Sequence, residues 1–114
     1  MDFNKLYQSR LTTPQDAVKN IHSDQRLFLT GNCSVPQKVL AALVEYAPNL
    51  NNVEICQALT VGPADYVDPR LEGHLHVNTM FVSANVRKAV HEGRAAFTPV
   101  LLSEFTLLFK NKLL

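Results

Sequence analysis

No apolar stretch in this 114-residue chain approaches the length of a membrane span, and Met1-Asp2-Phe3-Asn4-Lys5 lacks the basic flank and apolar core of a secretory leader. The expectation is a cytoplasmic protein with no membrane partner. Charge of one sign is equally scarce. Eleven basic side chains stand against ten acidic ones, and neither sign runs beyond two residues, so there is no electrostatic footprint for nucleic acid. Cysteine is limited to Cys33 and Cys56, which have no metal-ligand spacing and would be unusual as a lone staple; both are expected as reduced thiols. His74-x-His76 puts two imidazoles on one side of an extended segment, but zinc needs three or four ligands and neither thiol is near in sequence, so no metal is expected. Internal repeats and low-complexity tracts are also missing, and the length leaves room for one small domain with a core.

What is present alternates between strand and helix signals. Thr13-Pro14-Gln15-Asp16 places a capping hydroxyl, a proline at the first helical position and an acid at the third, which predicts a short helix through Ala17, Val18 and Ile21. Arg26 to Thr30 carries a continuous apolar run, Leu27-Phe28-Leu29, which suits a strand covered on both faces of a parallel sheet. Val39, Leu40, Leu43, Val44 and Ala47 fall on one side of a helix that Pro48-Asn49 ends, and Val53 to Leu59 supplies the next strand. The segment from Thr60 to Pro69 is dense in glycine and proline and reads as a long loop. A third strand over Thr79 to Val82, a helix over Asn85 to Glu92 ending at Gly93, and a fourth strand over Phe97 to Val100 broken by Pro99 follow. The pattern predicts an α/β fold: a parallel sheet of about four strands with flanking helices. The apolar finish, Phe105, Leu107, Leu108, Phe109, Leu113 and Leu114, is relieved only by Lys110 and Lys112, and reads as a segment cut from something longer that would associate through this helix.

The most informative stretch is the junction between the first strand and the following helix, Gly31-Asn32-Cys33-Ser34-Val35-Pro36. Gly31 allows backbone to come close to a ligand, and Ser34 and Gln37 have the spacing of a capping box. A helix start offers unpaired N–H groups and partial positive charge to a carboxylate or to a thioester oxygen gaining charge. The stretch is therefore a candidate for acyl chemistry or anion binding, and equally serves as a plain strand-to-helix turn. Cys33 beside a helix start invites a nucleophile reading, but no partner histidine is placed by sequence. Arg87, Lys88 and Arg94 suit a helix end and an exposed face better than a phosphate site.

Taken in order, Gly31 to Pro36, Thr60-Val61-Gly62-Pro63-Ala64-Asp65-Tyr66, Phe81-Val82-Ser83-Ala84-Asn85-Val86-Arg87-Lys88-Ala89-Val90 and Glu92-Gly93-Arg94-Ala95 resemble the acetyl-CoA hydrolase/CoA-transferase family. The similarity extends from Tyr7-x-x-Arg10 to Pro99-x-Leu-Leu-Ser-Glu104 and covers the N-terminal part of such an enzyme. The chain departs from the family pattern at Ser83, where glycine is common, and at Ala96-Phe97, where Asp-Tyr is common. The resemblance implies part of a CoA-transferase-like half and a coenzyme A thioester as substrate together with a short carboxylate. It implies no tightly bound cofactor and no catalytic residue within this chain. The nucleophile would be a glutamate in the family's second half, which attacks the thioester and becomes a glutamyl-CoA thioester. The expected substrate-facing residues are Gly31, Asn32, Cys33, Ser34, Val35, Pro36 and Gly62, with Gly62-Pro63 shaping a cleft wall. Homo-oligomers, or association through the apolar C-terminal helix, are expected. The alternative is a non-catalytic α/β module that binds a small anion or a protein partner.

Overall fold

The computed structural model describes residues 1–114. Its centre is a sheet of four strands, β1 (Arg26–Leu29), β2 (Val53–Gln57), β3 (Leu75–Thr79) and β4 (Ala95–Phe97), in the order β1-β2-β3-β4 and all parallel. The helices are α1 (Phe3–Arg10), α2 (Pro14–Val18), α3 (Gln37–Tyr46), α4 (Ala84–His91) and α5 (Phe105–Lys110). None is long and apolar enough to cross a membrane.

Local chemistry explains the helix starts. Asp2 caps α1 by accepting from the amides of Asn4 and Lys5. Thr13 caps α2 by accepting from Asp16 N at 3.1 Å, and its hydroxyl donates to the Asp16 carboxylate at 2.9 Å. The expected run to Ile21 is cut short: α2 stops at Val18, and the next residues form tight turns that still deliver Ile21 to the core. Gly93 ends α4 in the left-handed region, φ 74°, as its position after Glu92 predicts.

One face of the sheet holds the core. Leu27 and Leu29 of β1, Val53 and Ile55 of β2, Leu75 and Val77 of β3 and Ala95 of β4 pack with Val18, Leu40, Leu43, Val86 and Ala89 from the helices. Full burial of one such aliphatic side chain contributes about 1.5–3 kcal/mol. The other face carries Arg26, Glu54 and His76 on one register row and Phe28, Cys56, Asn78 and Ala96 on the next. Here α5 crosses back to β1, where Phe105 and Phe109 meet Phe28 with ring centroids 5.9 and 5.2 Å away.

Three strand expectations need correction. β1 is an edge strand whose Phe28 remains 46% exposed, so the run Leu27-Phe28-Leu29 is not covered on both faces. The third strand runs from Leu75 to Thr79, not from Thr79 to Val82. Its buried residues, Leu75, Val77 and Thr79, alternate with the half-buried His76 and Asn78, a short period-of-two signal that the more apolar run after it outweighs in the sequence. The more apolar Met80-Phe81-Val82 forms the connection to α4 instead. β4 likewise ends at Phe97, although Thr98 N still donates to Thr79 O before Pro99 stops the pairing.

Candidate functional site

The loops after β1, β2 and β3 meet at the carboxyl ends of the strands, where open α/β sheets hold ligands. Beyond the named strands, Asn32 N donates to Leu59 O at 2.9 Å, and Asn32 pairs with Thr60 in an isolated parallel bridge. Residues Gly31–Asn32 and Leu59–Thr60 thus continue the β1–β2 pairing into the loops. Gly31 is required by this closeness. A Cβ placed there would lie 2.4 Å from Leu59 O. The backbone that Gly31 admits is that of Leu59 in the neighbouring loop. The left-handed residues of this edge are Asn32, φ 51°, and Gly62, φ 100°.

The capping box expected at Ser34 and Gln37 does not form. Pro36 occupies the cap position of α3 with no side-chain bond, which shifts Ser34 out of reach. Ser34 Oγ instead donates to Gly31 O at 2.8 Å, and Thr30 Oγ1 donates to Ser34 O at 2.7 Å, folding the loop on itself. Gln37, the first residue of α3, sends Nε2 to Val61 O at 3.0 Å. Asn32, Cys33, Ser34 and Pro36 are exposed on this loop, whereas Val35 packs against the core. Cys33 is a free thiol.

Beneath the loops lies a buried polar ring built from Gln57, Thr60 and Tyr66, each no more than 2% exposed. Tyr66 Oη donates to Gln57 Oε1 at 2.8 Å. With that proton committed, Thr60 Oγ1, 3.2 Å from Tyr66 Oη, is the donor of that pair. Gln57 Nε2 closes the cycle by donating to Thr60 Oγ1 at 3.2 Å, and its second N–H points to Thr79 Oγ1 at 3.4 Å. Thr79 passes its own proton to Phe81 O at 2.7 Å. Asn85 joins from α4, with Nδ2 donating to Thr60 Oγ1 at 3.2 Å and Gly62 O at 3.1 Å, while Ser83 Oγ donates to its Oδ1 at 2.6 Å. No buried side-chain nitrogen or oxygen is left without a partner. Burial raises the Tyr66 phenol above its ordinary value, against the opposing pull of its bonds to Thr60 and Gln57.

Ordinary structural chemistry accounts for the remaining polar candidates. Arg94 pairs with Glu92 and donates to Val67 O, and Lys88 lies 3.8 Å from Glu92. His74 Nδ1 sits 2.6 Å from Leu50 O, so that nitrogen carries the proton and donates. Glu54 takes Arg26 from the neighbouring strand and Asn78 Nδ2 at 3.4 Å. Burial pushes the Cys56 thiol up to about 11.

Residues 1–112 match the acetyl-CoA hydrolase/transferase N-terminal domain. The chain belongs to the acetyl-CoA hydrolase/transferase family. It is 31% identical to the 4-hydroxybutyrate coenzyme A transferase of Clostridium kluyveri over 112 residues, 98% of this chain and 26% of that protein. It is 38% identical over 88 residues to the succinyl-CoA:acetate/propanoyl-CoA:succinate CoA transferase of Fasciola hepatica, 75% of this chain and 18% of that one. The chain therefore spans about a quarter or less of these relatives' length. Its fold is that of RipA from Yersinia pestis, with a TM-score of 0.79 over 95% of this chain and 28% of that one at 24% identity.

Of the residues expected to face substrate, the fold joins Gly31 and Asn32 to the Leu59–Thr60 backbone and brings Gly62 against Gln37. Cys33 lies at the exposed tip, without a bond to either neighbouring loop. The sequence reading missed Gln37, Gln57, Thr60, Tyr66 and Asn85 as a set. One signal was visible: Gln57 is an uncharged amide that follows Ile55 and Cys56 at the end of strand Val53–Gln57, and a buried amide requires partners.

Proposed function

We propose that this chain supplies the acyl- and carboxylate-facing edge of a cytoplasmic CoA-transferase or acyl-CoA hydrolase. The observation that carries the reading is the fusion of the Gly31–Pro36 and Thr60–Gly62 loops at the carboxyl ends of a parallel sheet, in a chain of this family. A coenzyme A thioester and a short carboxylate are the substrates of the complete site. A glutamate from outside this chain attacks the thioester and carries a glutamyl-CoA thioester. Asp65 and Glu104 are both exposed, and neither has the buried partners that hold a nucleophile in attack geometry. The uncapped start of α3 favours charge developing on the thioester oxygen. The isolated chain is therefore silent. The exposed apolar side chains Leu107, Phe109 and Leu113 near its end favour association with copies of itself.

A chimera tests this. Replacing the matched N-terminal part of the Clostridium kluyveri enzyme with this chain should leave CoA transfer within about tenfold of the parent, because an edge of equivalent geometry stabilises the same transition state. A folded chimera with no transfer would sink the proposal.

One observation favours a second reading. The buried ring is satisfied wholly within this chain, so the edge is built without another half, as a stand-alone anion-binding module requires. Calorimetry of the isolated chain with acetyl-CoA and short carboxylates separates the two: saturable binding supports the module, and flat titrations support the half-site.

A further inference from the structure

The Thr60–Gly62 segment follows β2, the strand lying between β1 and β3 in the sheet. It is held from both sides. From α3, which follows β1, Gln37 Nε2 donates to Val61 O at 3.0 Å. From α4, which follows β3, Asn85 Nδ2 donates to Thr60 Oγ1 at 3.2 Å and to Gly62 O at 3.1 Å. The orientation of the Asn85 amide is set by Ser83, whose hydroxyl occupies Oδ1 at 2.6 Å and leaves the nitrogen facing the loop. Gly62 completes the fit, since a Cβ there would lie 2.6 Å from Gln37 Nε2. Three successive residues are thus gripped by two carboxamides rooted in the first turns of two different helices.

We propose that Gln37 and Asn85 are paired positioning residues, which hold Thr60–Gly62 in one conformation before substrate arrives. The proposal rests on reading this edge as substrate-facing. Gln37 is exposed, Asn85 is half-buried and Val61 is 61% exposed, so these contacts bury little apolar surface. Their main effect is on local order rather than global stability. A wall ordered during folding has no ordering cost at binding.

Backbone order parameters of the isotope-labelled 114-residue chain test the clamp. Val61 and Gly62 should read about 0.85 in the unaltered chain and fall below about 0.6 in Gln37→Ala and Asn85→Ala, with β2 and β3 amides unchanged. In Asn85→Asp the side chain donates only when protonated, so the Val61 and Gly62 signals should move with pH in a way absent from Asn85→Ala. A loop already mobile in the unaltered chain, a loop unmoved by the substitutions, or a loss of order spread across the whole sheet would each overturn the proposal. In an active chimera, Asn85→Ala should lower kcat/KM by about tenfold, the loss expected for an interaction worth one to two hydrogen bonds; an unchanged kcat/KM would refute a positioning role. A chimera inactive with the unaltered chain defeats the proposed function alone, and the order parameters still decide the clamp.

Discussion

The Tyr66 hydroxyl and the Gln57 carboxamide, both buried and nine residues apart in sequence, share a 2.8 Å hydrogen bond that closes a ring through Thr60. The bond ties the turn over Asp65–Val67 to the carboxyl end of β2, and so sets the span that the loop between them must cover.

Tyr66→Phe should therefore destabilise the chain by about 1–3 kcal/mol, because Gln57 Oε1 loses its donor and Thr60 its acceptor while both stay buried. Urea unfolding followed by circular dichroism measures this. An unchanged midpoint would mean that water replaces the hydroxyl.

Gly31→Ala should cost the fold about 1–3 kcal/mol, since its Cβ meets a backbone carbonyl that has nowhere to go. Gly31→Val should be worse. Thermal melts of both variants indistinguishable from the unaltered chain would show that the loops are looser than the 2.9 Å bond from Asn32 N to Leu59 O implies.

Acid stability should depend on Asp68. Hydrogen bonds from the Arg70 side chain and backbone hold its carboxyl at about 2, below its ordinary 3.8. A depressed folded-state value contributes stability that is present above pH 3.8 and lost as pH falls through about 2. Asp68→Asn should thus lower the melting temperature near neutral pH and converge with the unaltered chain toward pH 2. Asp68 is half-buried and its partner Arg70 is exposed, so the difference should shrink in high salt. Parallel pH profiles with a constant offset would exclude this origin.

The two thiols should react in two phases with a disulfide reagent near neutral pH. Cys33 is exposed and Cys56 is buried with its thiol pushed up to about 11. One equivalent should react promptly, and the second only as the sheet opens. Cys33→Ser should remove the fast phase alone. Rapid labelling of Cys56 in the folded chain would contradict its place under the α5 side of the sheet.

Much of the architecture was legible because it is written in local signals. The cap at Thr13, the stop at Gly93, the apolar stripe of α3 and the alternation of elements each depend on residues close in sequence, and together they require a parallel sheet. The ordered motifs from Tyr7 to Glu104 were sufficient to point to the family. Strand β3 was misplaced because the apolar run Met80-Phe81-Val82 outweighs the short alternation of Leu75, Val77 and Thr79 with His76 and Asn78, although that alternation is the strand signal. The edge position of β1 is a property of sheet order, which no single strand encodes.

The candidate site divides in the same way. Sequence alone marked Gly31 to Pro36 and Gly62 as loop residues, since turn residues between strand and helix patterns are local features. Only the tertiary structure decided what those glycines are for: Gly31 yields to the Leu59 carbonyl, and Gly62 adopts a left-handed backbone, φ 100°, beside the Gln37 amide. Gln37, Thr60 and Asn85 come together because β1, β2 and β3 lie side by side with their carboxyl ends at one edge. Hydrogen bonds of that kind depend on distances of about 3 Å between groups far apart in the chain, which sequence spacing does not specify until the strands have chosen their neighbours.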